Sequence, residues 1–228
     1  IDRSTIDGNI GSLGGGLDVD GGEVFIINST ISGNEATNFN GAGGIYAGNF
    51  SDAVIDIVNT TITNNKSGTI GGIIRGTFGD QANAVINITN SIVANQETGD
   101  DCAGPITSIG YNLSSDNTCG FTETGDLQNS DPLLGALQDN GGPVFTHAIT
   151  GPLSPAVNNG SNTLYTSEGG DLANDTDATG NDRVYDFASG GIIDIGSFEL
   201  QQDATFEGCP VTNEDKILFV KKGESGTG

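Results

Sequence analysis

Three apolar segments of this chain superimpose at a fixed period, and that period restricts the fold more than any other feature. They are Glu23-Val24-Phe25-Ile26-Ile27-Asn28, Val54-Ile55-Asp56-Ile57-Val58-Asn59 and Val85-Ile86-Asn87-Ile88-Thr89-Asn90, and their closing asparagines lie 31 residues apart. Val24, Ile55 and Ile86 share one position of the pattern, Ile26, Ile57 and Ile88 another, with Phe25, Asp56 and Asn87 between them. Period-two alternation predicts strands with one buried face. After each strand comes a second block in which Ile31, Ile62 and Ile92 precede Asn34, Asn65 and Asn95. A third block pairs two glycines with an aliphatic residue: Gly15-Gly16-Leu17, Gly43-Gly44-Ile45 and Gly71-Gly72-Ile73. One period thus holds three short strands and three turns. A unit of about 25–31 residues cannot bury its apolar face alone and must stack on its neighbours. The expected fold is all-β: a right-handed parallel β-helix of three-strand coils over residues 1–113. A loop-rich C-terminal cap region of the same module is expected over 114–200, then a linker and connecting strand over 201–228.

Asn28, Asn59 and Asn90 share the parity of the buried isoleucines, so they are expected to point inward and hydrogen-bond along the stack. Asn28, Asn49, Asn59, Asn87 and Asn112 also open Asn-x-Ser/Thr acceptor sequences, a cheap match in a chain this rich in Asn and Thr. The coil lengthens at one corner, from 11 residues (Leu17 to Asn28) to 14 (Ile45 to Asn59) to 17 (Ile73 to Asn90). That corner carries Asp18, Asp20, Asn49, Asp52, Arg75 and Asp80, and stacked repeats place surface loops and binding faces there.

Charge and cysteine content narrow the function. With 30 acidic residues against 7 basic ones and a net charge of −23, the chain has no electrostatic footprint for nucleic acid or an anionic membrane. Its apolar runs stop at about five residues, against roughly 20 for a spanning helix, so membrane insertion is not expected. Cys102 and Cys119, 17 residues apart, are expected to form a disulfide across a short surface loop. That implies an oxidising, extracellular location. A zinc site is the weaker reading, because there is no Cys-x-x-Cys pair and His147 is remote. Cys209 is left over for a free thiol or an intermolecular bond. No basic, apolar leader opens the sequence, and Ser4–Asn9 matches Ser29–Asn34, so the chain reads as a mature fragment or an excerpt of a longer polypeptide.

Beyond Asn95 come Asp100-Asp101-Cys102, Ile106–Leu113, Cys119-Gly120-Phe121, Asp131-Pro132-Leu133-Leu134-Gly135, Asp139–Pro143, Thr146-His147-Ala148 and Ser154-Pro155-Ala156. Thr176–Arg183 and Asp194–Glu199 complete the string. It resembles the C-terminal part of secreted bacterial β-helix proteins of the pectate-lyase-like, "choice-of-anchor" repeat type, over about residues 91–200. The resemblance implies a module of large surface or secreted proteins, most without assigned activity. The N-terminal cap usual in such modules is missing, and Lys216–Gly223 resembles the strand with which they begin.

Catalytic and metal chemistry remain to be weighed. A uronate lyase needs cationic side chains on the helix face, and the coil region offers Lys66 and Arg75. A hydrolase needs two carboxylates at a defined separation, yet Asp52, Asp56 and Asp80 sit in no hydrolase motif. His147 is expected to be structural, and Asp100-Asp101 to cap a turn. Asp171, Asp175, Asp177 and Asp182 crowd a Gly- and Asn-rich loop whose spacing echoes the alternating oxygens around Ca²⁺. The competing reading is an Asp177–Arg183 contact closing the module end. The apolar run Ile217-Leu218-Phe219-Val220, flanked by Lys216, Lys221 and Lys222, is expected to pair with an open sheet edge of another copy, with Cys209 able to lock the joint. The expectation is a non-catalytic extracellular structural or adhesive module of a bacterial surface fibre. Its partners are other copies of itself, head to tail, and glycans or other cell surfaces. The runner-up is a carbohydrate-active β-helix, a lyase, hydrolase or glycan-binding module.

Overall fold

The structure is a computed structural model that describes residues 1–48, 52–76, 84–185 and 190–201. The chain is built almost wholly of strands, and it passes through three parallel sheets in rotation. The first stacks β1 (Thr5–Asp7), β5 (Thr30–Ser32), β9 (Thr61–Thr63), β12 (Ile92–Ala94) and β15 (Leu113–Ser114). In the second, β2 (Ile10–Gly11), β6 (Glu35–Ala36), β10 (Lys66–Arg75), β7 (Ile45–Ala47) and β3 (Leu17–Val19) follow one another, with β13 (Thr98–Ala103) also on β10. The third orders β14 (Thr107–Gly110), β11 (Val85–Thr89), β8 (Ala53–Val58) and β4 (Gly22–Ile27). An antiparallel pair, β16 (Leu134–Gln138) and β17 (Thr146–Ile149), and a short helix α1 (Asn162–Ser167) belong to the C-terminal half.

The alternating repeat sets the register of the third sheet. Val24 pairs with Ile55 and Ile55 with Ile86, while Ile26, Ile57 and Ile88 form the next buried row. Phe25, Asp56 and Asn87 line up between them, and the Asn87 amide donates to Asp56 Oδ1 at 2.8 Å. The glycine-pair block aligns in the second sheet, where Leu17, Ile45 and Ile73 are paired in turn. A Cβ on Gly16, Gly44 or Gly72 would come within 2.8, 2.7 or 2.1 Å of a carbonyl oxygen of the adjoining strand layer, so only glycine fits this close approach. All three sheets send Ile, Val and Leu into one core that includes Ile26, Ile31, Ile45, Ile57, Ile62, Ile73, Ile88 and Val93.

Two expectations need correction at the second block. The register pairs Val93, not Ile92, with Ile62, so Gln96 rather than Asn95 stands at the position of Asn34 and Asn65. The amide ladder runs through that set: the amides of Asn34 and Asn65 donate to Asn65 Oδ1 at 2.9 Å and Gln96 Oε1 at 3.4 Å. Asn28, Asn59 and Asn90 do not bond to one another along the stack through their amides. They turn the chain with φ of 49°, 43° and 49°, and each reaches a residue of the C-terminal half, to Tyr165 Oη, Asp194 O and Ser161 O respectively. Asn28, Asn59 and Asn112 are buried, which removes them as glycan acceptors; Asn49 lies outside the described residues.

The C-terminal half is not a plug on the stack. It lies across the outer face of the first sheet, whose strands β5, β9 and β12 are therefore buried on both sides. Ile31, Ile62 and Val93 enter the common core. On the other side Thr30 and Thr61 meet Ser197, Ser32 meets His147, and Ile92 and Ala94 pack with Ile149, Ala156 and Ile195. The end of the stack is sealed by the segment around the Cys102–Cys119 disulfide. Both cysteines, at 2 % and 3 % exposure, and Phe121 are part of the central core, so the bridge is internal rather than on a surface loop. Beside it the buried Asp101 carboxylate accepts from Ser115 N, Ser115 Oγ and Asp116 N, a turn cap whose burial pushes its pKa up to about 6.

Candidate functional site

The four aspartates of the loop expected to hold calcium are divided between two turns. Asp171 and Asp175 come together: Asp175 Oδ2 accepts from Asp171 N at 2.7 Å and from the Tyr165 hydroxyl at 2.9 Å. Asp171 in turn accepts from Ala173 N and the Asn174 amide, and the Asn174 and Ala173 bonds hold its carboxyl below the usual range. Asp177 is fully buried. Its Oδ1 accepts from Thr179 N, Thr179 Oγ1 and Asn181 N, and its Oδ2 from Glu199 N. Asp182 is exposed and bridges Thr176 through its backbone. The Asp171, Asp175 and Asp177 carboxylates accept from N–H and O–H donors, and among the described residues no three acidic, His or Cys side chains are grouped to hold a metal ion.

The centre of the C-terminal half is Arg183, with no exposed surface. Its expected partner, Asp177, is not the one it takes. Arg183 Nη2 donates to Glu199 Oε2 at 3.2 Å and to Asp194 O at 2.9 Å, and Nη1 to Asn28 Oδ1 at 3.4 Å. Glu199 also accepts from Asp194 N and Tyr185 N, while Asp194 accepts from Asn158 N and Leu200 N. Burial holds the Glu199 and Asp194 carboxyls above the ordinary range; the Arg183 guanidinium opposes this, and like charge from Asp194 on Glu199 and from Asp177 on Asp194 adds to it. Two buried carboxyl groups, those of Glu199 and Asp194, thus feel one guanidinium. Raised carboxyl pKa values are what a general acid needs, but here the groups are 0–1 % exposed. A small open cleft of about 110 Å³ is lined by Asp2, Arg3, Phe25, Asn28, Tyr165 and Asp175 among others, and none of Arg183, Asp194 and Glu199 reaches it. The cluster is a clamp: through Arg183 and Asn28 it ties the covering layer to the strand stack.

His147, which showed no acid partner in the sequence, is buried at 1 %, with Nδ1 at 2.7 Å from Gly135 O and Nε2 at 2.8 Å from Ser32 Oγ. An Nδ1–H donated to the carbonyl leaves Nε2 to accept from the serine. Burial lowers its pKa, opposed by the Gly135 bond and by the charge of Asp7. A serine–histidine pair of this kind resembles part of a nucleophilic site, but Ser32 is 2 % exposed and covered, so the pair fastens β17 to β5. Lys66, one of the two cations of the coil region, is engaged by Glu35 at 3.1 Å and Glu97 at 3.8 Å, a pairing that raises its pKa. The other, Arg75, donates to the Ala84 carbonyl.

The two ends of the stack differ. At the far end the disulfide segment covers the core. At the near end β1, β2 and β3 have no strand beyond them among the described residues. There Ile6, Leu17 and Val24 are partly buried, and Ile10 is 71 % exposed. The β4 edge is bonded in part by Ile1 and Arg3, through Phe25 O, Ile27 N and Ile27 O. Arg3 also reaches across to Thr176 Oγ1 at 3.0 Å, Thr176 bridges Asp182, and Gln201 donates to Asp182 O. Gln201, Asp182 and Thr176 thus form a chain of contacts that reaches the Arg3 side chain. Cys209 and the Lys216–Lys222 run lie outside the described residues.

The pairing of Arg183 with Glu199 was missed from the sequence, because Glu199 is 16 residues from Arg183 with no local pattern joining them. The signal available was the neutral-looking Asn/Gln position of the second block, which is the ladder. No protein-family model, curated protein or solved structure matches the chain.

Proposed function

We propose that the chain is a right-handed parallel β-helix module that acts outside the cell as a non-catalytic structural or adhesive unit. Copies join head to tail, the Lys216–Lys222 strand of one pairing with the open edge of the next, as in a bacterial surface fibre. The observation that carries this reading is the asymmetry of the stack. One end is sealed by Cys102, Cys119 and Phe121, while at the other β1, β2 and β3 have no strand beyond them among the described residues, over a partly exposed apolar layer. Unpaired edges template another strand. Contacts between unlike ends do not close and yield a filament. Parallel strands linked by crossovers are right-handed in nearly all cases, which supports the handedness. The buried disulfide supports an oxidising compartment.

Two proteins test it: the full chain and one ended after Ala204. The full chain is expected to form filaments visible by negative-stain microscopy, and the shortened one to stay monomeric with the same circular dichroism. Filaments from the shortened chain would show that the tail is not the connector.

A further inference from the structure

We propose that residues 131–185 and 190–201 form a lid, a unit that swings off the outer face of the first sheet about Asp131 and Leu133 while the strand stack stays folded. The proposal does not depend on how copies join.

The stack is complete without this layer. Its central core, which runs from Val19 through Ile57 and Ile73 to Cys119 and Phe121, takes no described residue beyond Phe121. The backbone of the first sheet is bonded along the stack, with Thr61 N on Ser29 O, Ile92 N on Thr60 O and Leu113 N on Ser91 O, each at 2.9 Å. The cover has little regular structure of its own beyond β16, β17 and α1. Its apolar contacts with the stack are two small groups. In one, Ile149, Ala156 and Ile195 meet Ile92, Ala94 and Leu113; in the other, Tyr165, Val184 and Ile193 meet Ile27 and Val58. A region with few buried apolar contacts opens at a lower free energy than the body that carries it.

The rest of the junction is polar. Ser197 bonds to Thr30 Oγ1 at 3.0 Å and to Thr61 Oγ1 at 3.1 Å, His147 Nε2 to Ser32 Oγ at 2.8 Å, and Thr5 Oγ1 to Phe145 O at 2.6 Å. Water replaces such partners at a small net cost, which it cannot do for buried isoleucine. The fit is also incomplete. Asn59 Oδ1 and Arg183 Nε, both buried at this junction, have no hydrogen-bond partner, and opening returns them to water.

The hinge lies where the bonding changes sides. Leu127 and Ser130 still bond to the stack, at Asn112, Ser114 and Ser114 again, whereas Pro132 O and Leu133 O accept from Ser154 and Thr150 of the cover. Between them Asp131 Oδ1 accepts from Asn95 on one side and from Leu133 N on the other. Leu133 itself has a φ of 53°, a left-handed backbone that a bulky side chain rarely adopts.

On the far side of the hinge the cover is held together as one body. Arg183 bonds to Asp194 O and Glu199, and Asp177 to Glu199 N, all within it; the guanidinium reaches the stack at Asn28 Oδ1 through its longest bond, 3.4 Å. Opening uncovers two rows of hydroxyls, Thr30 with Thr61 and Ser32 with Thr63, on strands about 4.8 Å apart. The closed chain keeps this polar face from solvent.

Two single cysteines on one strand read the motion: Thr63→Cys beneath the lid and Ile62→Cys in the central core, each in a Cys209→Ser background. The native residues are 1 % and 0 % exposed, so neither thiol reacts in the closed chain. Alkylation is expected to be at least about tenfold faster at Thr63→Cys. Equal rates would overturn the lid, since both thiols would then be reached by unfolding of the whole chain. A lock supplies the second arm. Thr30→Cys with Ser197→Cys, whose hydroxyls are 3.0 Å apart, ties sheet to cover and is expected to slow Thr63→Cys to the Ile62→Cys rate. An unchanged rate would also overturn the proposal. Hydrogen exchange makes the measurement on the unaltered chain. The amides of Arg183 and Ile195, bonded within the cover, are expected to exchange at least about tenfold faster than those of Thr61 and Ile92. Exchange of all four in a single step would refute a separate lid.

Discussion

Replacing Arg183 by methionine removes the cation from a site that holds the buried carboxyl groups of Glu199 and Asp194. The chain length is conserved and the charge is lost. Arg183 is 0 % and Glu199 1 % exposed, so water cannot take over the guanidinium's role. Breaking a buried pair on one side costs about 3–5 kcal/mol, chiefly because the remaining charge is uncompensated. The carboxyls have one escape, which is to bind protons. Glu199 and Asp194 are already held above the carboxylate range by burial. For groups whose folded pKa is raised, the associated stability is complete below the unfolded value and is lost as pH climbs through the folded one. Wild-type stability should therefore decline from acid to mildly alkaline pH through these two groups. Arg183→Met should steepen that decline, costing the full amount at about pH 8 and clearly less at about pH 5. Urea denaturation followed by tyrosine fluorescence at both pH values measures it. A penalty equal at the two pH values, or below about 1 kcal/mol at both, would refute the assignment of Arg183 as the neutralising centre.

Other expectations follow from burial and bonding. Ile57→Ala, at 1 % exposure in the central row, should cost about 2–5 kcal/mol in the same assay, whereas outward-facing Asp56→Ala should cost under about 1. Reducing Cys102–Cys119 should lower stability by about 3 kcal/mol, and neither thiol should alkylate in the folded, unreduced protein as read by intact mass. His147→Gln should flatten the acid limb of the stability curve: burial lowers the His147 pKa, so the unfolded chain binds its proton first and wild-type stability falls as pH drops below about 6.5. With a net charge of −23, the fold should melt at lower temperature in chelator and low salt and recover with Ca²⁺; an unchanged transition would dispose of surface cation binding.

The third sheet was legible because it obeys the simplest rule. Its outer face is bare, so Asp56 and Asn87 alternate with isoleucine, and the register of Val24, Ile55 and Ile86 could be read directly. The first sheet was not legible to the same degree. Thr30, Thr61 and Ser32 look like solvent-facing positions, and they are buried by residues as much as 167 positions away. The one-residue misplacement at Ile92 came from the same source: beneath the covering layer both faces accept aliphatic residues, so Ile92 and Val93 compete for the core position. The disulfide was readable from three cysteines, but its depth was not, because Cys102 follows the inward parity of Ile45 and Ile73 only after β13 is paired with β10. The asparagines 28, 59 and 90 were recognised as special. Their partners Tyr165, Asp194 and Ser161 exist only once the C-terminal half has folded back.

That fold-back also sets a schedule for the ribosome. The bond between Thr30 and Ser197 joins residues 167 positions apart, so at about 5–20 residues per second its two halves are synthesised roughly 8–30 s apart. Each strand layer needs only the next 21–31 residues to begin stacking, and the first sheet is formed long before its cover is translated. During that wait the earlier layers show water a row of hydroxyls, Thr30, Ser32, Thr61 and Thr63, and the apolar part of the face is Ile92 and Ala94, made last. The threonines that mature folding buries serve first as a wetting surface for a half-made protein.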